Sequence, residues 1–362
     1  MSGLTIASTP EALTANWLTR ALRAGASVPS GATVVGVEAT SVGTGQMCDS
    51  LRLRLDWDVE GAVPPTVIAK LPAADPTSRA TAKSLRNYEL EVRFYQQLAA
   101  GLPVRTPQCL YADIDVEEAD FILLLEDMAP ARQGDQLAGC SPDEAAVAVA
   151  ELPNLHAPRW GDASLAGIDW LHRDPATSQA FMAELLPVLH EGFRERYADQ
   201  LDDDVTGALD ALFPRLGDHL GGRTGPATIV HGDYRLDNLL FGGRDGGVPV
   251  AVVDWQTVST GPAMNDVAYF LGAGLQPEDR RTHEEALVRD YLDGLHVAGV
   301  EGYGWDACWE DYRRGTWGGL IMAVAASMLV ERTERGDEMF LTMARRHARH
   351  ALDLDAAALL GT

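Results

Sequence analysis

Three polar residues near the middle of the chain have the types and spacing that phosphoryl transfer requires. Asp233 and Asn238 lie five residues apart in a polar segment, and Asp254 follows sixteen residues after Asn238. Phosphoryl transfer needs a carboxylate beside the attacking hydroxyl group and oxygen ligands that hold magnesium against the phosphates. These three residues supply that set if the chain between them folds back on itself. The alternative is purely structural, with Asp233 in a turn and Asn238 capping a loop.

A small hairpin is predicted to bring these residues together. Its segments are a strand at 228–230, a polar loop at 231–238, a strand at 239–241, a glycine-rich turn at 242–247 and a strand at 250–253. Asp254 follows the last strand directly. The rest of this half of the chain is predicted to be mostly helical, beginning at the capping-box signature formed by Ser141 and Glu144.

The first half of the chain is predicted to form an antiparallel meander with a helix across it. Strand-like runs occur at 33–39, 51–57 and 66–70, separated by glycine-containing stretches. Apolar and aromatic residues at helical spacing predict a helix at 85–99, and a continuous apolar run at 121–125 predicts a strand buried on both faces. The polar residues that follow place a boundary between two lobes, 1–128 and 129–362.

The catalytic-type segment resembles that of the aminoglycoside phosphotransferase and choline kinase superfamily, whose members are relatives of protein kinases. His231, Gly232, Asp233 and Asn238 match the H-G-D-x-x-x-x-N loop of that superfamily, and Asp254-Trp255-Gln256 stands where its D-[FWY]-[EDG] motif is expected. The resemblance implies a bilobal, protein-kinase-like α+β fold with a small antiparallel-sheet lobe and a larger, mainly helical lobe. It also implies that Asp233 orients the acceptor hydroxyl group and that Asn238 and Asp254 ligate Mg2+.

Two residues of the first half match the kinase pattern independently. The stretch 67–70, Val-Ile-Ala-Lys, resembles the V-A-I-K strand, which implies that Lys70 binds the α- and β-phosphates of ATP. Glu91 resembles the helix glutamate that pairs with this lysine, with Glu89 as a rival for the role. The structural alternatives are a strand-end lysine and a solvated helix face.

Weaker signals concern the rest of the nucleotide site. Gly43 and Gly45 lie between two predicted strands, where backbone amides could cover the phosphates, although an ordinary tight turn explains them equally well. The stretch 121–128 resembles the hinge of these kinases, which implies that backbone groups near Glu126 and Met128 bond adenine. A plain buried strand followed by a loop is equally compatible with these residues.

Two further motifs extend the resemblance. The stretch from Leu155 to Gly161 resembles the L-H-A-x-x-W-G segment of the ecdysteroid-kinase-like branch, and we interpret His156 as structural. Asp266 fits the G-P-x-x-x-D pattern, and we expect it to cap a helix and brace the catalytic loop.

Composition narrows the classes of partner. The 362 residues include 53 acidic and 29 basic side chains, and the resulting net charge of −24 disfavours binding to nucleic acid and to anionic membrane surfaces. The four cysteines are far apart, which argues against zinc and disulfides. The N-terminal residues lack the pattern of a signal peptide, and we predict a cytoplasmic monomer or homodimer.

The sequence thus predicts an ATP- and Mg2+-dependent kinase with ATP between the lobes. The predicted acceptor is a hydroxyl group of a small molecule: an aminoglycoside or macrolide, as in antibiotic resistance, or a steroid-like, nucleoside, choline-like or other alcohol. A non-catalytic, pseudokinase-like regulatory protein is the main alternative. A protein kinase is disfavoured, because Gly261-Pro262 follows Asp254 within a few residues and leaves little room for an activation segment. A hydrolase using His231 and Asp233 is disfavoured, because the chain lacks a Ser or Cys nucleophile elbow.

Overall fold

The computed structural model describes residues 4–43, 47–61, 63–171, 175–221, 225–243 and 249–361, and from 175 to 181 it describes the backbone alone. The chain divides into two compact units. The first consists of Met1–Gly101, Thr106–Pro130 and Val253–Gln256, and the second consists of Leu102–Arg105, Ala131–Val252 and Thr257–Thr362. The predicted lobe boundary after Met128 stays a prediction.

The first unit contains a five-stranded antiparallel sheet. Its strands are β1 (Val34–Ser41), β2 (Cys48–Trp57), β3 (Thr66–Pro72), β4 (Cys109–Asp115) and β5 (Asp120–Glu126), in the spatial order β1-β2-β3-β5-β4. The predicted meander and buried strand are therefore confirmed. In the central strand β3, Lys70 lies opposite Ser50 of β2 and Leu123 of β5. A lysine at this position is held between two neighbouring strands.

Three α-helices accompany this sheet: α1 (Ala15–Ala24), α2 (Pro76–Ser84) and α3 (Asn87–Gln97). Arg86 adopts a left-handed conformation (φ 61°) between α2 and α3, so the helix predicted at 85–99 begins at Asn87. An apolar cluster of the first unit packs residues of α1, such as Leu18 and Leu22, against β-strand residues such as Leu53 and Val67. This core fixes the strands that carry Lys70.

The second unit is mainly helical. Its α-helices are α4 (Pro142–His156), α5 (Pro175–Arg196), α6 (Asp203–Leu212), α7 (Leu216–Gly221), α8 (Met264–Gly274), α9 (Pro277–Val297), α10 (Trp305–Leu329) and α11 (Glu334–Asp353). The predicted capping box is confirmed, because Ser141 accepts a hydrogen bond from the Glu144 backbone amide and Glu144 accepts one from the Ser141 amide. Side chains of α5, α6, α8, α10 and α11 form the core.

Short strands interrupt these helices around the predicted loop. They are β6 (Arg132–Gln133), β7 (Ala227–Val230), β8 (Leu239–Phe241), β9 (Val250–Val252) and β10 (Ser259–Pro262). Strand β8 pairs antiparallel with β9, which confirms the predicted hairpin, and part of its turn, 244–248, lies outside the described residues. Strand β7 pairs antiparallel with β10. The loop that contains Asp233 therefore leaves one small sheet and enters another.

No helix in the described part of the chain is long and apolar enough to cross a membrane.

Candidate active site

In the first unit, the amine of Lys70 lies between two carboxylates from distant parts of the chain. Lys70 Nζ donates to Glu91 Oε1 of α3 at 2.6 Å and to Asp254 Oδ1 at 3.0 Å. Glu89, the rival for the role of Lys70 partner, instead forms an ion pair with Arg86, with Nε 2.9 Å from Glu89 Oε2. Lys70 is one of only two lysines in the chain, and the other, Lys83, is exposed on α2.

Burial shapes the charge of this cluster. The Lys70 side chain is 10% exposed and the Glu91 side chain 1%, whereas that of Asp254 is 34% exposed. Burial alone lowers the pKa of Lys70, but the carboxylates of Asp254 and Glu91 outweigh it and raise this pKa well above its ordinary value. Burial raises the pKa of Glu91, and the Lys70 ammonium group offsets that effect only in part. Lys70 is therefore firmly cationic.

Asp254 has an unusual backbone conformation. Its φ of 67° lies in the left-handed region, which Asp adopts more readily than most residues. The two residues after it are tied to the first unit. Trp255 stacks on Phe94 with ring centroids 3.8 Å apart, and the Gln256 carbonyl oxygen accepts from Asn87 at 3.0 Å. These contacts hold the Asp254 carboxylate beside Lys70 in a conformation that a β-branched residue would strain.

In the second unit, the carboxylate of Asp233 receives three hydrogen bonds. Tyr269 donates its hydroxyl to Oδ1 at 2.7 Å, while Asn238 Nδ2 donates to Oδ2 at 2.9 Å and Arg235 Nε donates to Oδ2 at 3.1 Å. The Asp233 side chain remains 20% exposed. A carboxylate has about four acceptor positions. Among the described residues, Oδ2 receives two donors and Oδ1 receives one, so one acceptor position on Oδ1 remains available.

The amide of Asn238 is oriented by the same bonds. Its nitrogen donates to the Asp233 carbonyl oxygen and to the Asp233 carboxylate, both at 2.9 Å. The amide oxygen is then the atom that can ligate a metal. Asp254 and Asn238 both offer oxygen, the element that Mg2+ prefers together with waters and phosphates. Each of the two side chains by itself thus offers a type of ligand atom that Mg2+ accepts, and their joint role as magnesium ligands stays a prediction. The described residues contain no cluster of three or more His, Cys, Asp or Glu side chains arranged for a metal.

A buried aspartate braces the catalytic-type loop. Asp266 of α8 accepts hydrogen bonds from the backbone amides of His231 at 2.7 Å and Gly232 at 2.9 Å, and its Oδ2 lies 3.2 Å from His156 Nε2. Burial raises the pKa of Asp266, but the hydrogen bond and charge interaction with His156, together with His231 and the Gly232 amide, more than offset this effect and lower the pKa. The bracing expected of Asp266 is observed, whereas its side chain makes no capping bond at the start of α8.

Gly232 is required at the turn of this loop. Its φ is 80°, and a Cβ there would lie 2.7 Å from the carbonyl oxygen of Thr257. Any other residue would meet both backbone strain and a backbone clash. His231 is fully buried, and its Nδ1 accepts the backbone amide of Asp233 at 3.2 Å. The histidine thus supports the loop.

The weaker predictions concern the nucleotide-binding residues of the first unit. Gly43 has a φ of 79° and open space where a Cβ would project, whereas Gly45 lies outside the described residues. Glu126 ends β5, and its carboxylate accepts the backbone amide of Gln108 at 3.0 Å. Met128 follows two residues later. The adenine contacts of this segment stay a prediction.

Two residues of the second unit were missed by the sequence analysis. Arg235 forms ion pairs with Asp233 at 3.1 Å and with Asp237 at 2.6 Å. Its position two residues after Asp233 is the sequence signal that could have indicated this contact. Tyr269 lies three residues after Asp266 on α8, a spacing that puts both on one helix face. Nothing in the local sequence indicates its contact with Asp233.

Comparison with known proteins gives a family. The model of the phosphotransferase enzyme family matches residues 55–308. A chicken (Gallus gallus) protein, acyl-CoA dehydrogenase family member 11, is 24% identical over 187 residues, which make up 51% of this chain and 22% of that relative. The chain therefore spans less than a quarter of that relative's length.

Solved structures similar to this chain include two small-molecule kinases. Choline kinase from Cryptosporidium parvum Iowa II matches with a TM-score of 0.57 and 11% identity over 88% of this chain and 89% of that chain. The Plasmodium vivax ethanolamine kinase matches with a TM-score of 0.53 and 11% identity over 93% of this chain and 89% of that chain. The fold is the predicted bilobal, protein-kinase-like α+β fold, and the chain belongs to the phosphotransferase enzyme family.

Proposed function

We propose that this protein is an ATP-dependent phosphotransferase that transfers the γ-phosphoryl group to a hydroxyl group of a small molecule. The observation that carries the proposal is the arrangement of Asp233. Three donors fix its carboxylate, one acceptor position stays available on Oδ1, and the Asn238 amide oxygen is turned away from it. A turn residue with only a structural role has no need of this arrangement.

Each predicted residue has a proposed task. Lys70 binds the α- and β-phosphates, and Glu91 keeps the Lys70 amine in place. Asp254 and Asn238 supply oxygen ligands for Mg2+, which when bound neutralises charge on the transferred phosphoryl group. Asp233 accepts the hydrogen bond of the attacking hydroxyl group and orients it for in-line displacement.

The acceptor is proposed as a class. Family membership and the structural similarity to choline and ethanolamine kinases support a small alcohol, since those proteins are named for such acceptors. A cytoplasmic setting and a part in antibiotic resistance stay predictions.

The test is phosphorylation by the purified protein. We expect one or more members of a panel of hydroxylated compounds to gain a phosphate group with ATP and Mg2+, as measured by mass spectrometry, and no gain after chelation of Mg2+. Replacing Asp233→Asn should lower turnover by roughly 10²–10⁴, the usual worth of a positioned general base.

A matched control is Asp143→Asn, because Asp143 is exposed in the first turn of α4. It should keep wild-type turnover. ATP binding without transfer to any acceptor or to water would favour the non-catalytic alternative. Full activity of the Asp233 variant would refute the assignment of that residue.

A further inference from the structure

Tyr269 reaches the Asp233 carboxylate from the core of the second unit. The residue is 6% exposed, and its hydroxyl group donates to Asp233 Oδ1 at 2.7 Å. Oδ1 is also the oxygen with an acceptor position available for the substrate hydroxyl group. The Tyr269 bond therefore occupies one lone pair of Oδ1, leaves the other available and restrains the rotation of the carboxylate that sets its direction.

The hydroxyl group of Tyr269 keeps its proton. Burial and the negative charge of Asp233 both raise the pKa of Tyr269 well above its ordinary value. A phenol that remains protonated is always a donor to the carboxylate, and a hydrogen bond to a charged group is among the stronger ones in proteins. Tyr269 thus donates a hydrogen bond to Asp233 at any ordinary pH and takes no part in proton exchange.

The ring of Tyr269 is itself held in a defined position. It stacks on the imidazole of His347 of α11, with centroids 5.4 Å apart and planes 20° from parallel. Neither ring nitrogen of His347 has a hydrogen-bond partner among the described residues, although the residue is fully buried. A buried polar group without partners costs free energy. Among the described residues, the ring therefore acts through packing and not through hydrogen bonds.

Two glycines make the slot that accepts this imidazole. A Cβ at Gly319 of α10 would lie 2.0 Å from Cε1 of His347, and a Cβ at Gly272 of α8 would lie 2.5 Å from its Nδ1. Real Cβ atoms do not approach other atoms so closely, so any larger residue at either place would force the ring out of its present position. Three helices therefore converge on one flat ring, and that ring supports Tyr269.

We propose that Tyr269 is a positioning residue for phosphoryl transfer, which fixes the Asp233 carboxylate through its hydroxyl group and is itself fixed by His347 in the slot between Gly272 and Gly319. This inference rests on the proposed function, because it gives Tyr269 a role in the reaction that Asp233 is proposed to support. Tyr269 acts through Asp233 and does not contact the nucleotide or the acceptor in this scheme.

The test is a double-mutant cycle of Tyr269→Phe with Asp233→Asn. The probe is slow release of phosphate from [γ-³²P]ATP with Mg2+, with water as the acceptor, together with any acceptor found by mass spectrometry. Tyr269→Phe keeps the ring and its stacking. It should lower kcat by about 10-fold to 100-fold, the worth of a hydrogen bond to a charged group, and leave KM for ATP unchanged.

In the Asp233→Asn background, Tyr269→Phe should cause no further loss, because the carboxylate through which it acts is gone. A merely structural tyrosine would lower activity equally in both backgrounds. The matched control is Tyr197→Phe, since Tyr197 is also fully buried and donates to a carboxylate, Asp337 Oδ1, at 2.6 Å. This control should behave as wild type.

Failure of the inference is distinct from failure of the proposed function. If Asp233→Asn has no effect, or the protein turns over no ATP, the proposed function fails. Three results with an inactive Asp233→Asn variant would overturn the inference on Tyr269 alone. Tyr269→Phe could match wild type, or it could raise KM for ATP instead of lowering kcat. In the double variant, Tyr269→Phe could lower kcat as much as it does in the wild-type background. A loss in Tyr197→Phe equal to that in Tyr269→Phe would also overturn it.

Discussion

The two units fix their chemistry-bearing carboxylates in different ways. In the first unit, the Lys70 amine bridges Glu91 and Asp254, and Glu91 Oε2 is buried without a hydrogen-bond partner among the described residues. In the second unit, Asp233 is held by three donors. The first cluster is a buried lysine shared by two carboxylates, whereas the second combines one ion pair, with Arg235, and two neutral hydrogen-bond donors on a single, partly exposed carboxylate.

The difference has consequences for what a substitution does. Removing one member of a buried ion pair leaves an uncompensated charge, so stability and activity should fall together. Removing one of several donors to a partly exposed carboxylate should change its orientation while the fold remains. Variants of the Lys70 cluster should therefore lower both stability and activity, whereas variants of the donors to Asp233 should lower turnover alone.

The largest effect is expected for Lys70→Met. Loss of the phosphate-binding amine should lower kcat/KM for ATP by roughly 10²–10³, as for other removals of an electrostatic donor in an active site. It should also destabilise the fold by about 3–5 kcal/mol, because Glu91 stays buried and unpaired. Urea unfolding measures the second effect.

Two further variants separate these contributions. The double variant Lys70→Met/Glu91→Gln should recover most of the stability and none of the activity, because the buried charge is gone but the amine is still missing. Lys83→Met, which replaces the other lysine, should match wild type in both measurements. Full recovery of activity in the double variant would contradict the role proposed for Lys70.

A smaller effect is expected for Glu91→Gln. Lys70 keeps its bond to Asp254, so kcat/KM for ATP should fall by about tenfold, the worth of a charged hydrogen bond. The matched control is Glu89→Gln on the same helix, which breaks only the pair with Arg86. An equal loss in both variants would show that the pairing of Glu91 with Lys70 has no special importance.

The smallest effect is expected in the pH dependence of stability, through the buried His347. Burial, followed by the charges of His350 and nearby arginines, lowers the pKa of His347 well below its ordinary value, so the folded state keeps it neutral. As pH falls below the unfolded pKa of about 6.5, the unfolded state takes up a proton that the folded state refuses, and stability decreases. The slope reaches at most about 1.4 kcal/mol per pH unit for one residue.

We therefore expect His347→Leu to lose less stability than wild type between pH 7 and pH 5 in urea unfolding. At neutral pH the variant should be less stable than wild type, because a branched leucine does not fill a slot shaped for a flat ring. The test therefore compares the change in stability between pH 7 and pH 5 in each protein. An identical pH dependence of the two proteins would contradict this account.

Local patterns were enough to predict much of the fold. Asn238 and Asp254 flank a hairpin whose strands are adjacent in sequence, and Lys70 stands on a strand with a strong apolar pattern, so short-range signals sufficed. Strand β10 was not predicted, because Ser-Thr-Gly-Pro has no strand pattern and depends on pairing with β7. The contacts of the site were harder to predict.

The contact of Tyr269 with Asp233 shows why. The two residues are 36 positions apart, and only the packing of α8 against its neighbours brings the phenol to the carboxylate. The break at Arg86 between α2 and α3 is similar, since a left-handed arginine has no sequence signature. Such features depend on packing between elements that are distant in sequence, and local sequence patterns do not reveal that packing.

The scarcity of lysine has a practical consequence. The chain carries 29 basic residues, yet its only amine-bearing side chains are the buried Lys70 and the exposed Lys83. A nucleotide that carries an amine-reactive acyl phosphate can therefore label lysine in only two peptides, which differ in mass. Nucleotide binding at Lys70 can therefore be measured in the wild-type protein from the labelling of one peptide, even before an acceptor is known.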